Sequence, residues 1–134
     1  MRKDIEIDEV KDVAIVIVPE LNAHNEHEWT VCILNYKSSS LTSVLINAEA
    51  RGIIDGEERH TAVMRFYIEE LGPGAYKKFE MLMPETFGLT NQYWVSFYED
   101  GKIYDKKFVF AANTISIDRL VMIPVLGKSG VMMK

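Results

Sequence analysis

Apolar positions along this chain recur at the two-residue period of half-buried strands, and no window before residue 113 sustains helical spacing. Val13 to Val18 is a β-branched run that stops at Pro19, which has no N–H to give a central ladder. Asn22 to Glu28 is polar and reads as a loop. Trp29 to Tyr36 sets Trp29, Val31 and Ile33 on one face and Thr30, Cys32 and Leu34 on the other, the mark of a strand buried on both sides. After the turn Lys37-Ser38-Ser39-Ser40, Val44 to Ile54 places Val44, Ile46, Ala48 and Ala50 together, opposite Leu45, Asn47, Glu49 and Arg51.

Asp55-Gly56 is a hairpin dipeptide, and Thr61 to Ile68 follows it with renewed alternation. Leu71-Gly72-Pro73-Gly74 breaks the pattern. Ala75 to Met83 resumes it, with Phe79, Met81 and Met83 expected inward and Lys78 and Glu80 outward. Pro84 to Thr90 is a loop with room for one helical turn. Tyr93 to Tyr98 and Lys102 to Phe110 flank Asp100-Gly101, the strongest hairpin signal in the chain, because a type I′ turn needs positive φ at both central residues.

The sum is about seven strands, the spacing of an all-β, two-sheet antiparallel sandwich. In the tail, Asn113 to Lys134, Asp118 could cap a short helix through Leu120, Val121 and Met122, but Pro124 would end it at once. An extended C-terminal tail lying on the sandwich is the expectation. With 134 residues, no repeat and no linker, the chain reads as one domain over 1–134.

The pattern resembles an immunoglobulin-like bacterial β-sandwich domain. Two places carry the resemblance: Trp29 to Asn35 with its Ser-rich turn and Leu41 to Ile46, and Leu71-Gly72-Pro73-Gly74 leading into Ala75 to Met83. The Cys…Trp…Cys core of antibody-type domains is missing. The chain is also similar to a group of short bacterial proteins, without an established activity, that start near Asp4-Ile5-Glu6-Ile7 and end near Ile123-Pro124 and Gly130-Val131. Some of that group carry a phenylalanyl-tRNA synthetase label. A synthetase core needs a much longer chain and an ATP site with Arg-bearing motifs, and these residues contain neither.

Charge narrows the choice of partner. The formal net charge is −5, opposite to the basic excess of a nucleic-acid binder. Residues 1–72 carry 7 Lys+Arg against 14 Asp+Glu, a net of −7, and residues 73–134 carry 8 against 6, a net of +2. The imbalance could give the molecule an acidic and a milder basic side, and its plainer reading is ordinary surface charge. The single cysteine, Cys32, gives no support to secretion, and the longest apolar run, Val13 to Pro19, is too short to span a bilayer. A cytoplasmic protein with no membrane partner is the expectation.

Motifs for chemistry fail on spacing. Gly127-Lys128-Ser129 ends like a phosphate-binding loop, but Met122 stands where the first glycine is needed. His24, Glu26, His27 and Glu28, with Cys32 nearby, are the one dense set of potential metal ligands, and they read as a solvated loop. Glu57-Glu58 and Glu69-Glu70 are adjacent on strands, so each pair points to opposite faces and cannot act as an acid/base dyad. Cys32, mid-strand, reads as inert filling. No catalytic residue, metal or cofactor is assigned.

Two features point to binding. Strand alternation puts Trp94 and Tyr98 on one face and Tyr93 and Phe97 on the other, with Tyr104 across the hairpin, so one aromatic set is left for a partner, alternatively for hairpin pairing. Val131-Met132-Met133 forms an apolar end that can add as a strand to an edge, within the chain or between copies, or else fray. Trp94, Tyr98, Tyr104, Val131 and Met132 are therefore the candidate binding residues. The reading that follows is a non-catalytic protein-interaction or assembly module, using a protein partner or self-association. A small-ligand-binding sandwich is the alternative, and an enzyme with dispersed residues comes third.

Overall fold

The computed structural model describes residues 10–134, so the Asp4 to Ile7 part of the resemblance lies outside the described residues. Ten strands run through it: β1 (Val13–Leu21), β2 (His27–Asn35), β3 (Leu41–Ile54), β4 (Glu57–His60), β5 (Met64–Leu71), β6 (Tyr76–Leu82), β7 (Thr90–Glu99), β8 (Lys102–Phe110), β9 (Val121–Ile123) and β10 (Lys128–Met133). Single 3-10 turns lie at Pro84–Thr86 and Ile117–Arg119. One sheet has the order β6-β2-β1-β10-β9. The other runs β4-β3-β7-β8, with β5 also on β3. Every pairing is antiparallel.

The hairpins form where the turn chemistry allows them. Asp55 and Gly56 hold φ of 53° and 79°, and Asp100 and Gly101 hold 52° and 76°, the left-handed pair a two-residue hairpin requires. The strand count differs from the expected seven in two places. Beyond Asp55-Gly56, β4 pairs with Arg51 to Ile54, and β5 pairs with Leu41 to Ala48, so the two are pieces of one edge interrupted at residues 61–63. β4 is fully exposed and shows no apolar alternation.

The tail is also different. It is a β9–β10 hairpin, and β10 enters the sheet beside β1, with Ile17 opposite Val131 and Ile15 opposite Met133. An extended segment on the outside would leave the β1 edge unpaired, and β10 satisfies those backbone groups instead. β1 itself continues through Pro19 to Leu21. Its pairing with β10 involves only Ile15 to Ile17, so the missing N–H of Pro19 meets no ladder on that side.

The main core lies between the sheets. Val13, Ile15, Ile17, Val31, Ile33 and Val131 face Val44, Ile46, Tyr93, Val95, Phe97 and Phe110. A run of ring contacts crosses it, Phe66 to Phe79 at 5.2 Å, Phe79 to Tyr93 at 5.8 Å and Tyr93 to Phe110 at 6.0 Å, the last two edge-to-face. A second cluster covers the other side of the first sheet, where Ala14, Val16, Val18, Cys32 and Leu34 meet Ile123, Leu126 and Met132. This accounts for the apolar residues on both faces of β2.

One expected facing is reversed. The register of β2 against β6 shifts between Val31 and Cys32, which gain Glu80 and Lys78 as partners and skip Phe79. A bulge of this kind resets alternation. Glu80 therefore turns between the sheets, and Met81 and Met83, expected inside, are exposed.

Candidate functional site

The outer face of the β3–β5–β7–β8 sheet presents a set of aromatic and aliphatic side chains to solvent. Alternation along β7 buries Tyr93, Val95 and Phe97 and turns Trp94 and Tyr98 out, 49% and 44% exposed. Pairing then sets the neighbours. Trp94 lies between Asn47 on β3 and Lys107 on β8. Tyr98 pairs with Ile103, and Leu45 sits between Tyr67 and Ser96. Leu45, Tyr67 and Ile103 are exposed as well.

Charge surrounds this apolar centre with both signs. Arg65 pairs with Asn47, Lys107 with Trp94 and Asp105 with Ser96. The Lys107 ammonium stands 5.9 Å from the Trp94 ring, within cation–π range. A shallow pocket of about 130 Å³ opens beside the indole, lined by Asn47, Glu49, Val63, Gln92, Trp94 and Lys107. The side-chain oxygen of Asn47 is buried there and has no hydrogen-bond partner among the described residues.

The five candidate residues separate. Trp94 and Tyr98 share the outer face. Tyr104 does not join them: it pairs with Phe97 across the hairpin, stacks on it at 5.5 Å and 18°, and packs against the core from the rim. Val131 is buried in the main core, and Met132 is half-buried against Val16 in the second cluster. The strand addition considered for the tail takes place within the chain.

The remaining chemistry-bearing residues are dispersed. His24 and Glu26 lie in the exposed loop after β1, and His27 opens β2 with its ring tilted on Trp29 at 6.5 Å. Among the described residues no group of three His, Cys, Asp or Glu side chains converges on one point. Burial pushes the Cys32 thiol up to about 11, which keeps it protonated. No helix among the described residues is long and apolar enough to cross a membrane.

Glu80 is the titratable group that sequence reading missed, because the bulge that turns it inward leaves no mark in the pattern. The Tyr93 hydroxyl donates to its Oε2 at 2.9 Å, bridging the sheets. Burial raises the Glu80 carboxyl above its ordinary value, and the bond from Tyr93 offsets part of this. Burial, with Glu80 beside it, pushes the Tyr93 hydroxyl up, so it stays protonated.

No protein-family model matches the chain, and neither does any curated protein or solved structure.

Proposed function

We propose that the protein is a non-catalytic interaction or assembly module on an immunoglobulin-like sandwich, docking through the outer face of the β3–β5–β7–β8 sheet. The observation that carries this is the outward placement of Trp94 and Tyr98, with Leu45, Tyr67 and Ile103 around them. Aromatic anchors ringed by mixed charge are the composition of a protein interface. The immunoglobulin-like assignment draws on the connections. β2 to β3, β5 to β6 and β6 to β7 each cross between sheets, the Greek-key habit of such sandwiches. A cytoplasmic setting fits the lone, buried Cys32.

The partner this face fits best is a second copy of the chain. Arg65 and Lys107 share the surface with Glu49 and Asp105, so a two-fold axis through it can set acid against base around stacked aromatic centres. The net charge of −5 disfavours nucleic acid on the same face.

Molar mass by light scattering across a concentration series tests the reading. The expected result is a dimer that Trp94→Asp and Tyr98→Asp convert to monomer while circular dichroism stays unchanged. A chain monomeric at every concentration overturns the homotypic form.

A further inference from the structure

The rim of the sandwich between β5 and β6 is open, and a cleft of about 200 Å³ enters it there. Thr61 and Ala62, in the break between β4 and β5, and Met64, which opens β5, supply one wall, and Met81 and Met83 supply the opposite one. The floor is Glu80 and Tyr93. The volume lies between the roughly 150 Å³ that accommodates benzene and the roughly 300 Å³ at which drug-sized pockets begin.

Most of the polar wall is already committed. Thr61 Oγ1 accepts the Ala50 N–H at 2.9 Å, Thr86 donates to the Met83 carbonyl at 2.8 Å, and the Asn91 amide donates to the Thr86 and Leu89 carbonyls. Glu49 pairs with Arg51 at 3.3 Å. Glu80 differs. Tyr93 occupies Oε2, and Oε1 accepts no hydrogen bond among the described residues. Among those residues the cleft is lined by no lysine, arginine or histidine. The Glu49 carboxylate lies on the outer face of β3, opposite Ala48 and Ala50, so one carboxylate, that of Glu80, and three thioethers border a space lined by no cation.

We propose that this cleft binds a small organic ammonium ion, its charged nitrogen on the Glu80 carboxylate and its apolar body between Met64 and Met81. Polarizable thioethers adapt to the shape of an apolar group, and the Tyr93 bond fixes the carboxylate's orientation. An anionic ligand would meet the Glu80 carboxylate with no cation beside it. A neutral alcohol can donate one hydrogen bond to the Glu80 oxygen but brings no charge to it, and charge-assisted bonds are the stronger.

The titratable groups around Glu80 set the pH dependence. From β7 comes Tyr93, held protonated by burial, while on β3 Glu49 and its partner Arg51 point to the opposite face of the strand. The break between β4 and β5 brings none. Burial raises the Glu80 carboxyl, so affinity for the ammonium falls as acidification protonates that carboxyl.

The test uses the full chain with 2-phenylethylammonium, against 2-phenylethanol and 3-phenylpropionate, by calorimetry near neutral pH. The expected preference for the ammonium over the alcohol is about tenfold, the scale of one charge-assisted hydrogen bond. Glu80→Gln keeps an acceptor for Tyr93 and should erase that preference. Amide shifts in an NMR titration should fall on Ala48 to Ala50 and Glu80 to Met83 and spare Tyr98 and Ile103, so the result is independent of docking at the outer face. Equal affinity for amine and alcohol, no binding of the amine, an unchanged preference in Glu80→Gln, or shifts confined elsewhere would each overturn the proposal.

Discussion

The side-chain amide of Asn35 donates to the main-chain carbonyl of Leu71 at 3.1 Å, joining the end of β2 to the end of β5 across 36 residues. The same nitrogen reaches the carbonyls of Ser39 and Gly72, and Oδ1 accepts the N–H of Lys37. One buried side chain thus fastens the Ser-rich turn to the Leu71–Gly74 turn, the two segments that carry the resemblance in sequence. Asn35→Ala leaves the buried Leu71 carbonyl without this donor and loosens the part-buried bonds to Ser39 and Gly72. Its expected cost is about 2–3 kcal/mol, read from urea denaturation. A loss within error would show that solvent replaces the amide.

Trp94 and Phe97 are three positions apart on β7 and face opposite ways. Phe97→Ala empties a fully buried ring site and should cost about 3–5 kcal/mol. Trp94→Ala removes a half-exposed ring whose main partner is the Lys107 ammonium, so its cost to the monomer should stay below about 1 kcal/mol. Chemical denaturation of the two variants checks this. A large loss in Trp94→Ala would mean that the ring supports the fold and would weaken its case as a docking residue.

Gly130 marks the tightest approach of β10 to β1. A Cβ there would stand 2.7 Å from Val16 Cγ2 and 3.0 Å from the Ile17 carbonyl oxygen. The oxygen belongs to the ladder and cannot yield without moving the strand. Gly130→Ala should therefore destabilise by about 1–3 kcal/mol. It should also speed amide exchange at Ile15 to Ile17, which pair with this strand. Unchanged exchange would place the relaxation in the Val16 side chain alone.

Turn chemistry and alternation made much of the fold legible. Asp55-Gly56 and Asp100-Gly101 form their hairpins, and the inward set Val44, Ile46, Ala48 and Ala50 is buried. What escaped has physical causes. Glu57 to His60 form a strand solely by pairing with β3, with no apolar residue to announce it. Lys128 to Met133 is short and contains Gly130, so its place beside β1 depends on a partner more than a hundred residues away. The Glu80 facing follows from a bulge, a backbone event that period counting cannot register. In the candidate site, both faces of Tyr93 to Tyr98 are aromatic, so alternation alone left the exposed one undecided. The side taken by Tyr104 was within reach, because a two-residue turn at Asp100-Gly101 sets Glu99 opposite Lys102 and hence Phe97 opposite Tyr104.

Glu80 should also leave a signature in the pH dependence of stability. Its folded carboxyl is raised above the ordinary 4.5, so the fold favours the protonated form. The favourable contribution is complete below the unfolded value and is lost as pH rises through the folded one. At neutral pH the ionised carboxylate is therefore a liability that burial imposes. Glu80→Gln removes the charge and keeps an acceptor for the Tyr93 hydroxyl. The variant should match the native chain at pH near 4 and exceed it in stability at neutral pH, with the gap opening above 4.5. Glu99 acts in the opposite sense. The Ser39 hydroxyl, then Lys37 at 3.3 Å, hold its carboxyl below the ordinary value. That contribution is present above 4.5 and is lost as pH falls through the depressed value, in both proteins alike, so it cancels in the comparison. Thermal melts of the pair across acid to neutral pH isolate Glu80. A native chain more stable than Glu80→Gln at neutral pH would mean that the ionised carboxylate is paired inside the sandwich, contrary to the unoccupied oxygen seen here.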